Sequence, residues 1–109
     1  MSKVSENHLA RPVIRAAMQR STITYGELGE EVGVIARGLG PHLARLEKWC
    51  AAKGIPPLTV LVVTLDTGLP SDEGTYRGIR YGDMSPKELD ELQGSVFDHD
   101  WGQYGKVFG

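Results

Sequence analysis

The chain has 109 residues, of which 40% are apolar and 24% charged, and its formal net charge is -2. This length suits one domain, the composition argues against global disorder, and no apolar run reaches the roughly 18 residues of a membrane span. The first residues also lack the apolar segment of a secretory signal, so we expect a single cytoplasmic domain over 1–109, with its core at about 9–82 and a C-terminal helix and tail at 85–109.

The N-terminal part of the sequence predicts two helices. Apolar residues recur at helical spacing and predict the first helix over residues 12–20. Thr24 followed by Glu27 matches a capping box, in which each side chain binds the backbone N–H group of the other residue, so we expect the second helix to begin at Tyr25. Gly33 can end this helix in the left-handed conformation.

A third helix follows after a short turn. Gly40 and Pro41 open it, because proline is favoured in the first turn of a helix, and Gly54 closes it after about residue 53. Its apolar face carries Leu43, Leu46, Trp49 and Cys50, and its polar face carries His42, Arg45 and Lys48. The pattern predicts a helix that is buried on one side and open to a partner on the other.

The pattern becomes extended after the third helix. Residues rich in β-branched side chains predict a buried strand over 58–65. The stretch after it has the glycine, proline and aspartate content of a loop or of a wide hairpin, which would return through residues 75–80 and form the wing. Ser85 and Glu88 repeat the capping-box pattern, which predicts a short helix over residues 86–93.

The tail combines aromatic and acidic residues. We expect Phe97 and Trp101 to dock on the body of the domain and the last residues to fray. Asp98, His99 and Asp100 are of the types that ligate metals, but adjacent side chains usually point in different directions. The segment is therefore interpreted as solvated and acidic rather than as a metal site.

Three helices followed by a strand and a loop-rich hairpin predict an α+β fold of the winged helix-turn-helix type, extended by a short C-terminal helix and a tail. The second and third helices would form the helix-turn-helix, in which the later helix is presented to a nucleic-acid groove. Winged helices also serve as protein-interaction modules, so the fold does not by itself decide the function.

Three short motifs, ITYGELGEEVG, ARGLG and GIPPLTVLVV, lie between residues 22 and 68. They resemble the C-terminal DNA-binding domain of O6-alkylguanine-DNA alkyltransferases and alkyltransferase-like proteins. The resemblance implies that Tyr25 works against a DNA phosphate and that Arg37 fills the space of a flipped base. It also places Gly38 and Gly40 at small residues of the family's recognition segment.

The reactive motif of that family, proline-cysteine-histidine-arginine, has no counterpart here, because residues 59–63 read TVLVV. A nucleophilic thiolate needs a neighbouring base or positive field, and Cys50 is predicted to lie on an apolar helix face beside Trp49. A single cysteine can neither close an intrachain disulfide nor by itself form a thiolate zinc site. We therefore expect no catalytic residue, no cofactor, no metal and no alkyl transfer.

The charge is divided unevenly along the chain. Residues 11–53 hold seven basic and four acidic residues, whereas residues 64–100 hold three basic and nine acidic residues. A basic first half favours a non-enzymatic module that binds nucleic acid, with DNA as the expected target. The residues expected to contact it are Tyr25, Arg37, Gly38, His42, Arg45 and Lys48.

A second hypothesis remains open on the same fold. The acidic C-terminal half would bind or inhibit a protein partner with a basic surface, as an immunity, antirestriction or regulatory protein does. An uneven charge distribution without any binding role explains the same counts. The sequence does not separate these alternatives.

Overall fold

The computed structural model describes residues 6–71 and 74–102, and about half of these residues lie in α-helices. The helices are α1 (Glu6–Met18), α2 (Tyr25–Val32), α3 (Gly40–Lys53) and α4 (Pro86–Asp98). The strands are β1 (Ile23–Thr24), β2 (Val62–Val63), β3 (Thr75–Tyr76) and β4 (Ile79–Arg80). Turns of 3-10 helix lie at Ala36–Gly38, Leu58–Leu61 and Tyr81–Asp83. These described residues form a small α+β fold.

Two helices begin where their capping boxes predict. Thr24 Oγ1 accepts a hydrogen bond from the Glu27 N–H at 3.1 Å, and Glu27 Oε1 accepts one from the Thr24 N–H at 2.9 Å. Ser85 and Glu88 make the same pair of bonds, at 3.1 and 2.8 Å, at the start of α4. The end of α2 is also confirmed, because Gly33 lies in the left-handed conformation with φ 78°.

The first helix differs from its prediction. It begins at Glu6 rather than at residue 12 and ends at Met18 rather than at residue 20, so Pro12 lies inside it. Proline inside a helix removes one hydrogen bond, but the turn before it carries Leu9 and Ala10, which are fully buried against the rest of the core. Burial of this apolar turn offsets the local cost, and the helix extends through the proline.

The prediction of a strand over residues 58–65 is wrong for the first half of this segment. The part that is a strand also pairs with a different segment from the one expected. Leu58–Leu61 is a fully buried 3-10 turn, and a short apolar run cannot be distinguished from a strand by its pattern alone. The two residues of β2 then pair in parallel with β1. The connection between these strands contains α2 and α3. Residues 75–80 pair with each other rather than with β2, so β2 is not the first strand of a wide hairpin through them.

The chain turns sharply directly after β2. The Thr64 N–H donates to the Leu69 carbonyl at 2.9 Å, and the Gly68 N–H donates back to the Thr64 carbonyl at 2.9 Å. Val63 bridges Pro70, which has no N–H to extend a ladder. This pairing therefore stops after one residue.

The predicted return through residues 75–80 is a hairpin in itself. β3 pairs antiparallel with β4, in a register that joins Thr75 to Arg80. The two residues of its turn, Arg77 and Gly78, have φ values of 54° and 82°. Positive φ at both positions is what a type I′ turn requires, and this turn matches the twist of the strands that it joins.

The last helix is longer than predicted. It runs to Asp98 rather than to residue 93, because Val96 is buried and its carbonyl accepts a 2.7 Å hydrogen bond from the Trp101 indole N–H. Docking of Trp101 is confirmed, since its side chain is buried, and Phe97 packs half-buried on the core. The fraying predicted for the last residues lies outside the described ones.

The core lies between the helices and the segment that follows α3. Its fully buried side chains come from every helix and from residues 58–63, and α4 adds Leu89 and Val96 to the same cluster. Helix α1 contacts α2, α3 and α4 as well as the Leu58–Leu61 turn. Across 6–71 and 74–102, none of the helices has the length and apolar character needed to cross a bilayer.

We predict that Thr24→Ala lowers the free energy of unfolding by about 0.5–2 kcal/mol, because it removes the acceptor for an exposed N–H group of α2. Chemical denaturation measures the change, and circular dichroism checks that the fold is retained. Thr22→Ala, at an exposed position two residues earlier, is the control and leaves the midpoint unchanged. Equal midpoints for both variants would contradict a stabilising capping box.

Candidate nucleic-acid interface

Tyr25 and Arg37 line the same open groove. The groove has a volume of about 540 Å³ and lies between the start of α2, the Ala36–Gly38 turn, the start of α3 and the loop after β2. Arg37 is exposed, and within the described ranges its guanidinium has no ion-pair partner. The two residues that the family resemblance singles out therefore lie in one place.

Tyr25 is half-buried and also packs against the core. It lines a second groove of about 310 Å³, which runs along α3 to Glu47 and Tyr81. The two grooves share Tyr25, Gly40 and Ser71, so they form one continuous depression. The tyrosine thus has both a packing role and a position on an accessible surface.

His42 and Arg45 contact each other. Arg45 Nη2 donates to His42 Nδ1 at 2.5 Å, and both side chains are half-buried. Neither residue lines the two grooves next to Tyr25. They belong to a different part of the α3 surface from the one that Arg37 faces.

Lys48 lies on an exposed surface of α3, whereas Gly38 lies in a tightly packed turn. Lys48 is exposed and lines a third groove, which separates α3 from the β3–β4 hairpin. Gly38 is half-buried, and a Cβ atom there would lie 3.3 Å from Val34 Cγ1. The tight space at Gly38 gives this glycine a packing reason that is independent of any ligand.

A polar cluster that the sequence did not predict joins α3 to the hairpin. Glu47 Oε2 accepts hydrogen bonds from the Thr59 hydroxyl at 3.1 Å and from the Thr75 N–H at 3.0 Å. The Thr59 and Tyr81 hydroxyls are 2.7 Å apart. Tyr81 is buried, and this burial raises the pKa of its phenol well above the usual range. We call Glu47, Thr59, Thr75 and Tyr81 the polar tether.

The backbone at Gly74 also lies close to Tyr81 of the polar tether. A Cβ atom at Gly74 would lie 2.6 Å from two ring carbons of Tyr81, and the Tyr81 N–H donates to the Gly74 carbonyl at 2.7 Å. Only glycine fits beside this ring. In the sequence, Glu47 has the spacing of a surface residue and Gly74 lies in a loop, so no local signal indicates their contact.

Cys50 lies in the core. Its side chain is 1% exposed, and burial raises the pKa of its thiol to about 11, with a further increase from the Glu47 carboxylate. The segment at the position of the missing reactive motif is also buried. The thiol therefore has neither the access nor the ionisation that a nucleophile needs.

Asp98, His99 and Asp100 point to three different partners. Asp98 forms a 3.0 Å ion pair with Arg20, the His99 ring lies edge-on to Trp101, and Asp100 Oδ1 accepts from a backbone N–H at 3.0 Å. Over the part of the chain that the structure describes, no group of three or more histidine, cysteine, aspartate or glutamate residues has the arrangement of a metal site.

No protein-family model, curated protein or solved structure matches the chain. The resemblance to alkyltransferase DNA-binding domains therefore depends on the residues quoted for it. Of those, Tyr25 and Arg37 share a groove.

We predict that Cys50 in the native protein resists alkylation. With a pKa of about 11 instead of 9.0, its thiolate fraction near pH 8 is about 100-fold below that of the unfolded chain. Intact-mass measurement after iodoacetamide treatment tests this, with and without denaturant. An alkylated duplex should likewise leave no adduct, and rapid native labelling would contradict the burial of the thiol.

The same shift in pKa predicts a loss of stability at high pH. The unfolded thiol ionises near pH 9, whereas the folded one stays protonated up to about pH 11, so the free energy of unfolding falls as pH rises through this interval. Denaturation between pH 8 and pH 11 measures the slope. Cys50→Ala should show a shallower slope than the parent protein.

We predict that Tyr81→Phe lowers the free energy of unfolding by about 0.5–1.5 kcal/mol, because Thr59 loses one partner of its hydroxyl and keeps Glu47 as the other. Tyr76→Phe, in the half-buried strand β3, is the matched control. A loss of the same size in both variants would argue against a specific contribution from the tether.

Proposed function

We propose that the chain is a non-enzymatic module that binds nucleic acid, with DNA as its target. The supporting observation is the groove that the exposed Arg37 and the half-buried Tyr25 both line. A long cation on a short turn can reach phosphates or base edges, while the helices on either side hold it in place. The aromatic ring provides a wall of the same depression.

We further infer that the fold acts as a winged helix-turn-helix. In this interpretation α2, the Ala36–Gly38 turn and α3 form the helix-turn-helix, and the β3–β4 hairpin is the wing. Two features support it: α2 and α3 follow each other with a connection of seven residues that contains the Ala36–Gly38 turn, and the polar tether links the hairpin to α3. The parallel pairing of β1 with β2 joins the segment before α2 to the segment that follows α3.

In the proposed complex, Arg37 enters a groove of the duplex or takes the place of a base, and Tyr25 lies against a phosphate. Lys48 contributes a phosphate contact from α3. His42 and Arg45, which contact each other, would act as a pair at the margin of the interface. Phosphate contacts fix the orientation of the protein, and base contacts provide any sequence preference.

A protein-binding role is the second candidate function, and one observation favours it. Helix α4 buries Leu89 and Val96 while Glu88, Asp90 and Glu91 are exposed. A row of carboxylates on a helix can attract a basic partner. The acidic residues Asp72 and Glu73 of the same half lie outside the described residues.

We predict that Arg37→Ala weakens DNA binding by about 1–3 kcal/mol, because it removes a charge-assisted contact and the inserted side chain. The stability of the protein should barely change, since Arg37 is exposed. Binding titrations with duplex and single-stranded DNA at two salt concentrations measure the effect. Arg11→Ala removes the same charge from an exposed position on α1 and is the control.

Charge reversal on α4 separates the two candidate functions. Under the DNA-binding proposal, Asp90→Lys and Glu91→Lys leave DNA affinity equal or higher, because repulsion from phosphates falls. Under the protein-binding alternative, the parent protein binds duplex DNA negligibly even at low salt, Arg37→Ala is silent, and the reversals abolish capture of a basic partner. The second set of results would reject the DNA-binding proposal.

A further inference from the structure

A groove between the C-terminal half of α3 and the β3–β4 hairpin brings together cations that are distant in sequence. It has a volume of about 290 Å³, with Lys48 on the α3 side and Arg77 at the tip of the hairpin. Its remaining lining is largely apolar and includes Ala44, Ala51, Ile55 and Pro57. A cationic rim over an apolar floor matches the two parts of a nucleotide backbone, phosphate and sugar.

The polar tether holds the two walls of this groove together. The Thr75 N–H donates to Glu47, so the first strand of the hairpin is bound directly to α3. The type I′ turn then places Arg77 at the tip, with its guanidinium 5.1 Å from the centre of the Tyr76 ring. The backbone of the hairpin is therefore held against α3 by hydrogen bonds, with Arg77 at its tip.

The charges in this groove favour an anion. Within 6–71 and 74–102, neither Lys48 nor Arg77 has an ion-pair partner. Glu47 also lines the groove, and since its hydrogen-bond donors Thr59 and Thr75 are neutral, the two cations and one carboxylate give the lining a formal charge of +1. Two cations that face one groove repel each other, and an anion between them relieves this repulsion.

The shape of the surface favours a chain of phosphates over a single ion. The groove shares Ala44 and Glu47 with the depression that runs past Tyr25, and that depression continues to Arg37. Along α3, the axial distance from Gly40 to Lys48 is about 12 Å at the helical rise per residue. A strand of B-DNA rises about 3.4 Å per phosphate along its axis, and successive phosphates are farther apart than this along the backbone itself, so the track is long enough for more than one phosphate.

We propose that this groove binds the sugar–phosphate backbone of a nucleic-acid strand, with a phosphate between Lys48 and Arg77 and a sugar on the apolar floor. The same strand continues along α3 toward Arg37. The assignment rests on the DNA-binding function proposed above, and it adds a second contact segment from the half of the sequence that is acidic overall. Arg77 thus belongs to the interface although it lies far from the recognition segment in sequence.

The test compares Arg77→Asn with Arg77→Lys. Asparagine tolerates the left-handed backbone at this position and removes the charge, whereas lysine keeps the charge. We expect Arg77→Asn to weaken DNA binding about 3- to 10-fold and to reduce the slope of log K against log salt by about one, with Arg77→Lys close to the parent protein. Circular dichroism and thermal unfolding check that both variants fold.

Arg80→Asn is the matched control on the same hairpin. Arg80 lies 3.8 Å from Asp83 in an ion pair and does not line the groove, so its removal should leave affinity and salt slope unchanged. One result would overturn the groove assignment alone: the parent protein binds DNA, Arg37→Ala weakens this binding, and Arg77→Asn does not. Parent protein that binds inorganic phosphate but no DNA would overturn both proposals and leave a free-anion site.

Discussion

The carboxylate of Glu47 connects three segments that are distant in the sequence: helix α3, the buried turn after it and the β3–β4 hairpin. A partly buried carboxylate is costly unless it is well hydrogen-bonded, and Thr59 and Thr75 supply those bonds here. The geometry required by the carboxylate therefore fixes the hairpin against α3. Since the grooves on both sides of Glu47 share this residue as a wall, their shape depends on the same hydrogen bonds.

Local chemistry explains which elements the sequence could predict. The starts of α2 and α4 are confirmed because a capping box is satisfied by side chains only three residues apart. The start of α1 and the end of α4 depend instead on burial against distant segments, as Pro12 inside α1 and the Trp101 hydrogen bond to Val96 illustrate. The run at 58–63 is buried at every position, so its pattern carries no period that could distinguish a strand from a turn.

In the candidate site, too, residues that have a local sequence signal could be predicted, and residues that depend on distant contacts could not. Tyr25 and Arg37 could be named from short motifs, and both line one groove between the start of α2 and the Ala36–Gly38 turn. His42 and Arg45 shared a predicted polar face, but a spacing of three residues on a helix also lets two side chains bind each other. Glu47 could not be named, because its partners Thr59 and Thr75 are far away in sequence and reach it only through the tertiary fold.

Charge counted along the sequence does not describe the charge of a surface. Arg15 and Arg20 in the basic half form ion pairs with Glu31 and Asp98, whereas Arg77 in the acidic half lines a groove together with Lys48. The carboxylates of α4 are carried by a helix that packs against α1 and the Leu58–Leu61 turn. Exposed charges act strongly only within a Debye length of about 8 Å at physiological salt. In the proposed complex, the attraction for phosphates therefore depends on which side chains share a groove. The hairpin places Arg77, a cation that the sequence count assigns to the acidic half, beside α3.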